Sequence, residues 1–181
     1  MRVEKTIIEG CLLFTPKVFS DERGFFKETY HHERYLAAGV QVSFVQDNFS
    51  YSTKGVLRGL HLQVTRPQGK LVQALDGEIF DVCLDLRSGS STFKKWYGVN
   101  LSSENHQQLY IPPGCAHGFY VVSPKASVYY KCSDLYVPTD EKTLLWNDQT
   151  ININWPLEKP PVISAKDQQG LKLDDLWGLI S

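Results

Sequence analysis

The chain is organised as short apolar runs broken by turn residues, with little helical periodicity. Residues 71–75 and 78–86 are two such runs around Asp76-Gly77, which predicts a β-hairpin. In the second run Phe80, Val82, Leu84 and Leu86 share one face, while Ile79, Asp81, Cys83 and Asp85 share the other. A strand with acids on its second face either meets water or lines a polar cavity. Further strands are expected at 55–63, 96–101, 108–111, 118–122 and 127–133, with Pro112-Pro113-Gly114 as a rigid turn between two of them. Helix is expected only over 31–38, ended by Gly39, and in a tail at 174–180. The pattern predicts an all-β protein, an antiparallel jelly roll or similar barrel with a few short peripheral helices and a mouth open to a ligand.

The 181 residues contain no repeat, low-complexity run or linker, so one domain spanning 1–181 is expected. A chain of this length buries enough surface to stand without disulfides or a structural metal. With 19 basic and 20 acidic residues the net charge is -1, which argues against nucleic acid as a partner. A small anionic ligand, needing only two or three arginines, remains open. No stretch approaches the roughly 20 apolar residues of a membrane span, and the first 17 residues lack the apolar core of a signal peptide. The four cysteines are scattered without CxxC spacing, which suits reduced, mostly buried thiols in a cytoplasmic protein.

Of five histidines, His31, His32 and His106 lie in polar segments and are expected to be exposed. His61 (RGLHLQ) and His117 (PPGCAHGFY) sit in strand contexts flanked by glycine. A buried histidine satisfied by hydrogen bonds is the simplest reading of each. Metal binding is disfavoured: the position two beyond His61, which would share its face, is Gln63, a poor ligand, and two histidines fall short of three protein ligands. No GxSxG elbow is present, and Cys115 and His117 are too close along the strand to align as nucleophile and base. Proton transfer at carbon needs a neutral imidazole (pKa about 6.5 unperturbed), an orienting carboxylate, an acid on the far side of the substrate and a cation at the enolate oxygen. Asp81, Asp85 or Asp167 could orient, Tyr129 or Tyr130 could be the acid, and Lys70 or Lys131 the cation. Tyr129 and Tyr130 point to opposite faces of a strand, so only one can enter a site.

Taken together, the runs FSDERGFFKETY (19–30), FVQDNFS (44–50), GVLRGLHLQ (55–63), QGKLVQALDGEIFDVCLDLR (68–87), YIPPGCAHGF (110–119), YYKCSDLYVPTDE (129–141), LLWND (144–148) and SAKD (164–167) resemble the dTDP-4-dehydrorhamnose 3,5-epimerase family. The resemblance spans about residues 3–175; RGLHxQ, PxGxAHGF and a C-terminal SxKD are specific in combination. It implies a cupin-type jelly roll, a homodimer, and no metal or organic cofactor. The implied reaction inverts C3 and C5 of dTDP-4-dehydro-6-deoxy-D-glucose to give dTDP-4-dehydro-L-rhamnose. By matched positions it implies His61 as base, Asp167 as its carboxylate partner, Tyr130 as acid and Lys70 as the cation near the C4 oxygen. His117 would contact substrate, Arg23 and Arg58 the diphosphate, and Tyr136 would stack on thymine. Glu28, Gln46, Asn48, Glu141 and Lys166 fall on other contact positions. A surface ion pair between Arg23 and Glu28, and solvated Glu141 and Lys166, are the simpler alternatives there. A mono-epimerase of the same scaffold, a non-catalytic sugar-nucleotide binding module and a metal-dependent cupin oxygenase are the rival readings.

Overall fold

The computed structural model describes residues 1–180. Its strands are β1 (Arg2–Lys5), β2 (Leu12–Thr15), β3 (Val18–Asp21), β4 (Gly24–Lys27), β5 (Gln46–Thr53), β6 (Leu57–Gln63), β7 (Lys70–Asp76), β8 (Glu78–Asp85), β9 (Trp96–Ser102), β10 (Gln108–Ile111), β11 (Cys115–Val121), β12 (Lys125–Cys132) and β13 (Glu141–Thr143). Three short helices complete it: α1 (His32–Ala37), α2 (Ala165–Gln168) and α3 (Leu173–Ile180). A six-stranded sheet, β1-β2-β10-β7-β12-β5, faces a five-stranded sheet, β13-β6-β11-β8-β9, and the pairings within both are antiparallel. This is the expected all-β jelly-roll architecture. β3 and β4 form a separate hairpin.

The expected strand pair at 71–75 and 78–86 is present, but it is not a hairpin. β7 lies between β10 and β12 in one sheet, and β8 between β11 and β9 in the other. The Asp76-Gly77 reversal, with Gly77 at φ +73°, is a corner between sheets. A turn dipeptide specifies the reversal; the free edges decide the pairing, and both strands have their edges taken. The expected helix at 31–38 forms as α1, with Gly39 beyond it at φ +113°. β1 to β5 and β13 come in addition to the expected strands.

Apolar side chains make three layers. Val72, Ala74, Ile79, Cys83, Leu109, Ile111, Phe119 and Val128 fill the space between the sheets. The outer face of the six-stranded sheet, through Leu12, Phe14, Leu71 and Tyr110, is covered by Tyr35 and Val40 from α1 and its following turn. The outer face of the five-stranded sheet, through Leu60, Leu62, Val82 and Leu84, is covered by Leu144, Ile151, Leu173 and Leu176. All four cysteines are free and buried. The C-terminal cover has a consequence for the site. Residues around Val162 run parallel to the start of β6, with Leu57 N–H donating to Val162 C=O at 2.9 Å. That path delivers α2, and with it Asp167, beside His61.

Candidate active site

One end of the barrel interior is polar. The residues lining a cavity of about 340 Å³ there include His61, Lys70, His117, Tyr130, Arg58 and Gln68. His61 comes from β6 in the five-stranded sheet, whereas Lys70 (β7) and Tyr130 (β12) come from the six-stranded sheet. The imidazole therefore faces the phenol and the ammonium across the gap between the sheets.

Glycine is what lets β6 and β11 run so close here. A Cβ on Gly59 would stand 2.6 Å from the carbonyl oxygen of His117 and 2.7 Å from the Cα of Gly118, at a φ of +108°. His61 and His117 are direct cross-strand partners as a result.

Each histidine has its own carboxylate. His61 Nε2 is 2.6 Å from Asp167 Oδ1, and Asp167 Oδ2 accepts from Gly59 N–H at 3.3 Å. Asp167 is the third residue of a short helix whose N-cap, Ser164, accepts its backbone N–H at 3.1 Å. Its side chain does not turn back to the helix end but reaches β6. Burial pushes the Asp167 carboxyl up; the hydrogen bonds from His61 and Gly59 outweigh this and hold it below the usual carboxylate range. An ionised Asp167 only accepts, so His61 Nε2 is the donor in this contact and Nδ1 is turned away from Asp167. The His61 side chain keeps 25% of its surface open to the cavity, against 4% for Asp167.

His117 lies deeper. Its Nε2 is 2.7 Å from Asp81 Oδ1, and burial holds this imidazole below the usual histidine range despite the carboxylate. Asp81 Oδ2 is buried without a hydrogen-bond partner among the described residues. Lys70 is 9% exposed; burial lowers its ammonium, while Cys132 and Asp81 pull it back up. Burial raises the Tyr130 phenol, which keeps it a proton donor at neutral pH.

The remaining candidates are placed as follows. Asp167 orients His61, Asp81 orients His117, and Asp85 is instead held by Arg87, Ser90 and Thr92. Tyr130 enters the cavity; Tyr129 and Lys131 face outward with Asp47, 2.7 Å from the lysine. Arg58 is splayed by Ser52 Oγ, which accepts from its Nε at 3.1 Å and its Nη2 at 3.0 Å. Gln46, Asn48, Tyr136, Glu141 and Lys166 also line the cavity. Glu141 and Lys166 pair with each other, the lysine still half exposed, and Tyr136 donates its hydroxyl to Glu141 at 3.1 Å. Two candidates are not brought in. Arg23 sits on the β3–β4 hairpin and pairs with Asp21, and Glu28 pairs with Arg34 at 2.6 Å, so no Arg23–Glu28 pair forms either. Ser50, Gln68 and Phe119 line the cavity without having been singled out. Ser50 had a signal: it continues the every-second-residue series Gln46, Asn48 along β5.

The family model for dTDP-4-dehydrorhamnose 3,5-epimerase matches residues 5–175. An enzyme of that name from Shigella flexneri is 52% identical over 177 residues, covering 97% of each chain. The crystal structure of a dTDP-6-deoxy-D-glucose-3,5-epimerase from Legionella pneumophila, in complex with dTDP-4-keto-L-rhamnose, superposes with a TM-score of 0.93 at 48% identity over 96% of this chain and 93% of that one. A 3'-monoepimerase from Streptomyces bikiniensis, in complex with dTDP-quinovose, is more distant at 29% identity but still reaches a TM-score of 0.90 over 97% and 90%. A match that runs from β1 past α2, and so includes both ends of the His61–Asp167 contact, makes this chain a member of the dTDP-4-dehydrorhamnose 3,5-epimerase family.

Proposed function

We propose that the cavity inverts C3 and C5 of dTDP-4-dehydro-6-deoxy-D-glucose, with His61 and Tyr130 on opposite faces of the sugar. The observation that carries this reading is the placement of an Asp-oriented imidazole on one sheet against a phenol and a buried ammonium on the other. Inversion requires a proton to leave one face of a carbon and another to arrive on the opposite face. His61 Nδ1 takes the proton from C3 or C5, and the C–H electron pair moves into the C4 carbonyl to give an enolate. Lys70 faces the enolate oxygen; a donor so placed typically contributes about 3–4 kcal/mol. Tyr130 protonates the carbon from the far side, and exchange with water restores both groups. General acid and base contribute roughly 100- to 10,000-fold each. Asp167 holds the tautomer and stabilises the imidazolium.

Arg58 meets the diphosphate, Tyr136 stacks on thymine, and His117, Gln46, Asn48, Glu141 and Lys166 hold the rest of the substrate. Arg23 and Glu28 join the site of a second copy, and we propose a homodimer for that reason. The hairpin that carries Arg23 exposes Phe19, Phe25 and Phe26, a face that a neighbouring copy would cover. A monomer of full activity in light scattering would remove the dimer. Four free buried thiols suit a reducing compartment, and we place the enzyme in the cytoplasm.

The test is incubation with dTDP-4-dehydro-6-deoxyglucose in deuterated water, read by proton NMR. Exchange at both C3 and C5 with inversion supports the double epimerase; exchange at one centre only would make it a mono-epimerase, and exchange at neither would end the reading.

A further inference from the structure

Two chain crossings run side by side over the mouth of the cavity. Residues 64–69 pass from β6 to β7, and residues 133–140 pass from β12 to β13, so each spans from one sheet to the other. The second crossing carries Tyr136, 45% exposed at the rim. Gln63 sits beneath both, 4% exposed, at the end of the strand that carries His61. Both of its amide hydrogens are used, Nε2 donating to Arg66 C=O at 2.8 Å and to Leu135 C=O at 3.2 Å, and Oε1 accepts from Val137 N–H at 2.7 Å. Two of these bonds fall on the residues immediately before and after Tyr136, and the third falls on the neighbouring crossing. Asp140 ties the first crossing from the other side, accepting from Thr65 N–H and Arg66 N–H, each at 2.9 Å.

We propose that Gln63 is a positioning residue for nucleobase recognition, clamping the Tyr136 crossing to the His61 strand so that the stacking ring is set before the nucleotide arrives. This rests on the reading of Tyr136 as the base contact. Two directional bonds from one buried amide hold the backbone on either side of Tyr136, whose own N–H donates to Gln46 Oε1 at 2.8 Å, and a third joins this crossing to its neighbour; preorganisation of this kind lowers the ordering cost of binding. Gln63 touches no reacting atom in this account, so its loss shows in KM and not in kcat.

The experiment is a double-mutant cycle on the full-length protein, with Gln63→Met (near-isosteric, no hydrogen bonds) and Tyr136→Ala, reading dTDP affinity by calorimetry and kcat and KM for the sugar nucleotide. Expected is a weakening of dTDP of about tenfold in each single variant, kcat of Gln63→Met within twofold of wild type, and no further weakening when Gln63→Met is added to Tyr136→Ala. Unchanged dTDP affinity in Tyr136→Ala would overturn the base-contact reading beneath the proposal. Weakening in Tyr136→Ala with none in Gln63→Met, additive losses, or a fall in kcat at constant KM would each overturn the clamp itself. Should Gln63→Met fail to fold, Asp140→Asn is read in its place against the same outcomes, since it loosens the same pair of crossings.

Discussion

Asp167→Asn is the sharpest perturbation of the catalytic geometry, because the structure dictates how the amide must sit. Gly59 N–H needs an acceptor at the Oδ2 position. The new carbonyl oxygen takes that place, and the new NH2 is left facing His61 Nε2, 2.6 Å away in the wild type. His61 must then accept on Nε2 and carry its proton on Nδ1, the atom proposed to remove the substrate proton. The variant also loses the charge opposite the imidazolium: at an effective dielectric near 20 and charge centres about 4 Å apart, that is roughly 4 kcal/mol. At about 1.4 kcal/mol per tenfold this alone costs roughly a thousandfold in rate, and the wrong tautomer brings the loss to about 10³–10⁴-fold. Initial rates of epimerisation with saturating sugar nucleotide measure it, alongside dTDP binding, which should be unaffected. A variant within tenfold of wild-type kcat would refute both the tautomer assignment and the role of Asp167.

Tyr130→Phe should still exchange substrate protons with deuterated solvent but lose inversion by about 10²–10⁴-fold; wild-type product yield by NMR would remove Tyr130 as the acid. Asp81→Asn takes away a negative charge that raises the Lys70 ammonium against its burial. Lys70 then deprotonates at lower pH, and the alkaline limb of the kcat profile should move toward acid; an unmoved limb would contradict the role of Lys70. Asp85 is buried and accepts from Arg87, Ser90 and Thr92, bonds that outweigh its burial and hold the carboxyl far below the usual range. Its stabilising effect is therefore full above the unfolded value of about 3.9 and fades as pH falls toward the folded one. Asp85→Asn should lose about 3 kcal/mol at pH 7 and progressively less below about pH 4, by denaturant unfolding; equal stability at pH 7 would contradict this.

The local sequence revealed some parts of this site and concealed others, for physical reasons. His61 and His117 stood out because glycine beside a strand histidine marks a close backbone approach, and the Gly59–Gly118 contact is that approach. Which carboxylate serves which histidine was illegible, since Asp167 reaches His61 only after the C-terminal segment has crossed the outside of the five-stranded sheet. β5 was hidden by an inverted pattern. Its polar residues Gln46, Asn48 and Ser50 line the cavity, while Phe49 and Tyr51 point outward and are exposed, so alternation alone could not say which face was inside. Asp76-Gly77 announced a reversal without naming the partner strands, and the hairpin expectation failed there. The family resemblance chose Tyr130 over Tyr129 and Lys70 over Lys131, and the register of β12 and β7 gives the reason: Tyr129 and Lys131 are spent on the outer face with Asp47.

The central claim is that one oriented imidazole begins the chemistry at both carbons flanking the ketone. His61→Ala, incubated with dTDP-4-dehydro-6-deoxyglucose in deuterated water, tests it directly. No deuterium is expected at C3 or C5 on the timescale of wild-type turnover, with dTDP affinity retained. Exchange at either carbon at a rate near wild type would contradict it.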